Sequence, residues 1–239
     1  MLYVHVPCVS AFIAISRHVA EVYATRGIEV TILRNFTTTD GEPVRSFADR
    51  HGAVLISRLV PEKGVADVID AARRLPQLSV TIAGGGELAA DVRRASEEVE
   101  NLSYVGVASR HEVGVLLRSA RVALAPALWQ EPAGLSVLEA MSCGTQVVAY
   151  ASGGLREYVG DAGAGRVVSP GAGDLADACL ELHDDRSAWS ECSERAVAAV
   201  RERHDVVNYV DRLEDIYERA GKTDREHPSR LHSRRRRGS

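Results

Sequence analysis

At 239 residues the chain can bury a full domain core, and 45% hydrophobic with 26% charged residues is a globular composition, which excludes a disordered or fibrous chain. No apolar run reaches the roughly eighteen residues of a membrane span, and the opening MLYVHVPCVSAFIAIS lacks the basic head and cleavage site of a secretory signal. The expectation is a soluble, cytoplasmic protein, with peripheral membrane contact left open; residues 221–239 carry +5 of the net −4, leaving −9 on residues 1–220, an acidic surface that excludes nucleic acid as a partner.

In chain order, AFIAIS, RHVAEVYATRG and VTILRNF read as one short β-α-β piece, too small to stand as a domain. TTTDGEPVRSFADRHG is polar and turn-rich, and sets a boundary near residue 50. From residue 53, short β-branched runs alternate with helical patterns, as successive units of a parallel sheet do. AVLISRL, SVTIAGGGE, LSYVGVAS, RVALAPA and TQVVAYAS are strands. GVADVIDAARRL, LAADVRRASEEV, RHEVGVLLRSA and GLSVLEAMSCG are the helices between them. DLADACLELHDD, RSAWSECSERAVAAVRERH and DVVNYVDRLEDIYERAG close the globular part as three helices. The expected fold is α/β, a doubly wound, Rossmann-like parallel sheet of about six strands with C-terminal helices. Residues 1–50 form a fragment plus linker, residues 51–220 the main domain, and residues 221–239 a basic tail expected to be disordered, its RRRR run solvated. Cys8, Cys143, Cys179 and Cys192 are scattered without paired spacing and read as reduced thiols, forming neither a zinc site nor a disulfide framework.

Ligands of open parallel sheets bind beyond the carboxyl ends of the strands, and four clusters fall there. In SRLVPEKG, Arg58 and Lys63 are able to converge on one multiply charged anion, the first through a planar fork and the second as a point charge; solvated surface cations would look the same. AGGGE places Gly84 and Gly85 after a strand, where the backbone approaches a ligand or simply turns. It has neither a phosphate-loop ending nor the dinucleotide fingerprint. EPAGLSVLEAMSCGT starts a helix at Gly134, Leu135 and Ser136, and unpaired amides at the positive end of a helix suit a phosphate. Glu131 precedes that helix and Glu139 lies inside it, so two acids bracket the anion site. SGGLREYV brings Gly153 and Gly154 before a short helix, open to a sugar or phosphate, with Glu157 capping or pairing locally. His5, His18, His51 and His111 carry no assigned role.

In their order and spacing, SRLVPEKG, IAGGGE, YVGVAS, EPAGLSVLEAMSCGTQVVA and GGLREYV resemble the donor-binding half of the retaining glycosyltransferases of family 4, with the GT-B fold, over roughly residues 50–220. The resemblance implies transfer of a sugar from a UDP-, GDP- or ADP-linked donor to an unidentified acceptor, with retention of configuration and with no metal or other cofactor. It implies that Arg58 and Lys63 bind the donor pyrophosphate and stabilise the leaving diphosphate. Glu139 would accept the ribose hydroxyls, and Glu131, first of an E-x7-E pair, would contact the donor sugar near its reacting face. Amides of Gly134, Leu135 and Ser136 would cradle phosphate. Gly84 and Gly85 join the nucleotide-sugar set, and Val107 matches the place where main chain pairs with the base edge. Glu131 is not a glycosidase-style nucleophile in this reading. The chain departs from the family at Ala133, where an aromatic is common, and at Trp129 and Gln130, where smaller residues are usual. Residues 1–50 resemble only the last β-α-β of the family's acceptor-side domain, and the final helix resembles the one that packs back onto it. The alternative is a nucleotide-sugar-binding module that is non-catalytic, or that works with a partner supplying an N-terminal domain.

Overall fold

The computed structural model describes residues 9–38 and 42–226, with side chains as far as Gly221. His5, Cys8 and the RRRR run lie outside the described residues, while residues 221–226 of the tail expected to be disordered are helical, continuing the last helix. The chain begins with β1 (Ile13–Ala14), α1 (Arg17–Ala24) and β2 (Thr31–Ile32). Ser16 caps α1 by accepting from the Val19 N–H at 3.2 Å, and the two strands pair in parallel as a small sheet of their own. This is the short β-α-β piece expected from the sequence.

After the linker come β3 (Ala53–Ile56), α2 (Val65–Arg74), β4 (Val80–Ala83), α3 (Ala89–Glu98), β5 (Leu102–Gly106) and α4 (Arg110–Ser119). They are followed by β6 (Val122–Ala125), α5 (Leu135–Ser142), β7 (Gln146–Tyr150), β8 (Gly165–Val168), α6 (Ala172–Asp184), α7 (Arg186–Arg203) and α8 (Val206–Glu226). Six strands pair in parallel in the order β5-β4-β3-β6-β7-β8. The chain moves outward from β3 to β5, then returns across β3 to add β6, β7 and β8. Such a reversal opens a crevice at the carboxyl ends of the two central strands, here β3 and β6. β8 is the strand that sequence reading did not single out; GRVV is four residues, led by glycine and half-buried throughout, too short to display a period.

Both faces of the sheet are covered, as a parallel sheet requires. Val148 and Tyr150 of β7 point into one core with Leu55, Val68, Ile82 and Leu175, while Val147 and Ala149 point into the other with Leu117, Leu138, Met141 and Ala196. The alternation along β7 is that of a strand with two buried faces. The linker is anchored by Arg50, which is fully buried. Its guanidinium donates to Leu117 O at 3.4 Å, Ala120 O at 3.2 Å, Thr145 Oγ1 at 2.7 Å and Cys143 O at 2.5 Å. The three carbonyls lie at the carboxyl ends of α4 and α5, where the helix dipoles are negative. Burial pushes the Arg50 pKa down to about 10, which leaves it cationic at neutral pH.

The N-terminal piece is joined to the main sheet through Glu157, which accepts from Arg34 at 3.0 Å and the His18 N–H at 3.3 Å and pairs with Arg17 at 3.3 Å. Local pairing of Glu157 is therefore corrected: its partners lie more than a hundred positions away, where spacing along the chain reveals nothing. His204 stacks on Tyr158 at 5.2 Å and meets Asn35 O through Nδ1 at 2.7 Å. α8 returns to the same piece, with Tyr209 against Phe36 at 4.8 Å and Arg212 donating to Ile32 O at 2.9 Å. Val207, Val210 and Tyr217 stay exposed on it. Among the described residues no helix is long and apolar enough to cross a membrane.

Candidate active site

A cleft of about 530 Å³ opens at the crevice between β3 and β6, within the size range of small-molecule sites. Ser57 and Arg58 reach it from the end of β3, Pro126 and Ala127 from the end of β6, and Lys63 from the turn Pro61–Lys63. Trp129, Glu131 and the first residues of α5 form the opposite wall. Ile15 and Asn35, just past β1 and β2, line it too, so the N-terminal piece borders the cleft.

Glycines hold these loops in place. Gly64 has φ 67°, and a Cβ there would lie 2.0 Å from Pro126 O, so the two loops meet backbone to backbone. A Cβ on Gly153 would lie 2.3 Å from Glu131 O, and one on Gly154 2.4 Å from Pro132 O. Gly154 N–H donates to Glu131 O at 2.7 Å, and Ser152 Oγ donates to Trp129 O. The pair Gly153-Gly154, read as open to a sugar or phosphate, instead admits the loop that carries Glu131. AGGGE behaves in the same way. A Cβ on Gly84 would be 1.8 Å from Ser57 O, and Gly85 O accepts from Leu59 N–H at 2.9 Å, so this turn supports the loop bearing Arg58. Gly84 and Gly85 are not among the residues lining the cleft; Val107 stands beside Gly85 and is 80% exposed.

α5 opens at Gly134 with no side-chain cap, and its first helical bond runs from Leu138 N–H to Gly134 O at 3.0 Å. The preceding amides have no intrahelical acceptor, and their positive dipole end lies in the cleft wall with Leu135 and Ser136. Glu131 Oε2 takes two donors, Lys63 Nζ and the Trp129 Nε1–H at 2.9 Å, and Lys63 Nζ also lies 5.5 Å from the indole centroid. Arg58 is exposed, with no ion-pair partner among the described residues. The cleft thus holds one uncompensated guanidinium, one ammonium shared with a carboxylate, and a helix start. Such a set draws an anion.

Arg58, Lys63, Glu131, Gly134, Leu135 and Ser136 are therefore brought together. Glu139 is set apart from them, in a neighbouring groove of about 490 Å³ between α4 and α5 with Arg110, His111 and Cys143. Burial raises its carboxyl pKa, and the Arg110 charge opposes the rise. The nearness of Asn35 and Ile15 had no signal in the sequence, and Trp129 stood out there only as an unusual residue. Among the described residues no group of three His, Cys, Asp or Glu is placed to hold a metal.

The family described as "Glycosyl transferases group 1" matches residues 40–203. A D-inositol 3-phosphate glycosyltransferase of Mycolicibacterium smegmatis is 32% identical over 182 residues, 72% of this chain and 41% of the relative. An alpha-maltose-1-phosphate synthase of the same organism is 32% identical over 132 residues, 50% of this chain and 33% of that one. The chain thus spans well under half the length of these relatives. Among solved structures, Anabaena HepE in complex with UDP-glucose superposes with a TM-score of 0.74 at 22% identity, over 87% of this chain and 64% of that one. A sucrose-phosphate synthase from Thermosynechococcus elongatus gives 0.74 at 21% identity, over 88% and 58%.

Proposed function

The chain belongs to the group 1 glycosyl transferases, and on that premise we propose that it forms the donor side of an enzyme moving a sugar from a nucleoside diphosphate to an acceptor. The observation that carries this reading is the convergence of Arg58, Lys63 and the uncapped start of α5 on one cleft at the switch point of the sheet. The solved complex of HepE with UDP-glucose, on the same fold, supports it.

In the proposed complex the diphosphate lies across the start of α5. Amides of Gly134, Leu135 and Ser136 donate to it, and Arg58 and Lys63 take the negative charge that grows on the leaving group as the glycosidic bond breaks. Lys63 is already held at the cleft by Glu131, so it exchanges one anion for another rather than ordering from solvent. Glu131 keeps its second oxygen for a hydroxyl of the donor sugar. The nucleoside runs along α5 toward Glu139, whose carboxylate accepts the ribose hydroxyls, with the base edge toward Val107. Gly84 and Gly85 act by supporting the Arg58 loop. Assignment to family 4, retention of configuration and independence of metal belong to this proposal, as does the division into residues 1–50, a donor domain over 51–220 and a tail.

Calorimetric titration with UDP, GDP and ADP and with their glucose conjugates tests it. At least one pair is expected to bind, and Arg58→Ala to weaken that binding by about tenfold or more, the worth of one charged hydrogen bond. Absence of binding by all of them would contradict the proposal.

A further inference from the structure

Trp129 is an apolar surface fixed in a charged cleft. It is 42% exposed, while the chain's other tryptophan, Trp189, is 3% exposed in the core. Three contacts hold Trp129: its Nε1–H donates to Glu131 Oε2 at 2.9 Å, Lys63 Nζ lies 5.5 Å from its centroid, and its carbonyl accepts from Ser152 Oγ. A side chain already ordered loses little freedom when a ligand arrives. Nothing in the binding of a diphosphate needs an indole there.

Resting on the function proposed above, we infer that Trp129 is the platform on which a face of the donor pyranose stacks. A sugar hydroxyl bound by the free oxygen of Glu131 lies beside the indole, because the other oxygen of that carboxylate is already hydrogen-bonded to the ring nitrogen. A pyranose carries its hydroxyls around the rim and C–H bonds on its faces. Those C–H bonds bear partial positive charge, and the face of an aromatic ring is negative. The rim therefore addresses Glu131 while a face covers the indole.

The test uses the full chain and whichever of UDP, GDP and ADP binds, each paired with its glucose conjugate. The glucose conjugate is expected to shield the accessible tryptophan from acrylamide quenching, while the bare diphosphate shields it less. Trp129→Ala is expected to weaken the conjugate by about three- to tenfold, the usual worth of an aromatic contact, and to weaken the diphosphate distinctly less. Trp129→Phe, which keeps a ring but loses the N–H, is expected to retain most of the conjugate's affinity. Equal weakening of diphosphate and conjugate in Trp129→Ala would overturn the platform. So would a Phe variant as weak as Ala, which would show that the residue acts only through its bond to Glu131, or unchanged quenching with the conjugate. Failure of every diphosphate to bind would instead overturn the site reading, and this inference with it.

Discussion

At the scale of residues, the acids and cations of the site were legible because their chemistry is tied to strand ends. Arg58, Lys63 and Glu131 lie in loops that leave parallel strands, and the structure brings all three into one cleft. Glu139 was legible as a partner of the same helix, but not its separate groove, because that depends on how α4 packs beside α5. Its burial has a consequence for pH. The fold favours the protonated carboxyl, so its pKa lies above 4.5 and its ionisation costs stability as pH rises through the raised value. The proposed ribose contact needs the ionised form, so the two effects have opposite sign. The affinity of the glucose conjugate, whose diphosphate does not titrate in this range, is expected to rise as pH climbs through the raised Glu139 pKa and then level off. Glu139→Gln should flatten that profile and weaken binding at neutral pH, while slightly raising the thermal midpoint of the free protein there. A profile unchanged by Glu139→Gln would remove it from the nucleotide site.

At the scale of elements, alternation of β-branched runs with helical patterns was enough to place five of the six strands of the main sheet, and the glycines marked the turns between them. What those glycines approach was not legible. Gly84, Gly153 and Gly154 read equally well as ligand-facing, and each is instead packed against the backbone of another loop of the site. Gly27 and Gly64 separate the two costs that follow. Both have positive φ, 68° and 67°, but nothing lies within 4 Å of a Cβ on Gly27, whereas one on Gly64 would meet Pro126 O at 2.0 Å. Gly27→Ala should cost about 1 kcal/mol in chemical denaturation, the conformational term alone. Gly64→Ala should cost about 3 kcal/mol or more, because backbone must move, and should also weaken diphosphate binding by displacing Lys63. Equal losses would mean that the contact between these two loops is not tight. At the far end of the same elements, Arg50 gathers the carboxyl ends of α4 and α5; it lies in the linker SFADRHG, where a single arginine carries no sign of being buried.

At the scale of the whole molecule, the N-terminal β-α-β piece was legible in the sequence, but its attachment was not. Part of it runs through Glu157, 8% exposed, which meets Arg17 and Arg34 across the boundary. Removing that charge leaves two guanidinium groups without their shared partner. Glu157→Gln is therefore expected to speed amide exchange at Leu33, whose N–H donates to Ala14 O at 2.9 Å, while leaving β3 to β8 protected. Unchanged exchange at Leu33 would show that the piece is held by apolar contacts and α8 alone. The attachment matters for function because Ile15 and Asn35 of this piece border the cleft, beside the loops that carry Arg58, Lys63 and Glu131. In the proposed function, this cleft takes the diphosphate of a nucleotide sugar. A crystal structure of the chain with the tightest-binding nucleoside diphosphate tests it most directly. Phosphate oxygens within hydrogen-bond distance of Arg58, Lys63 and the amides at the start of α5 are the predicted result; a nucleotide bound elsewhere, with those groups untouched, would contradict it.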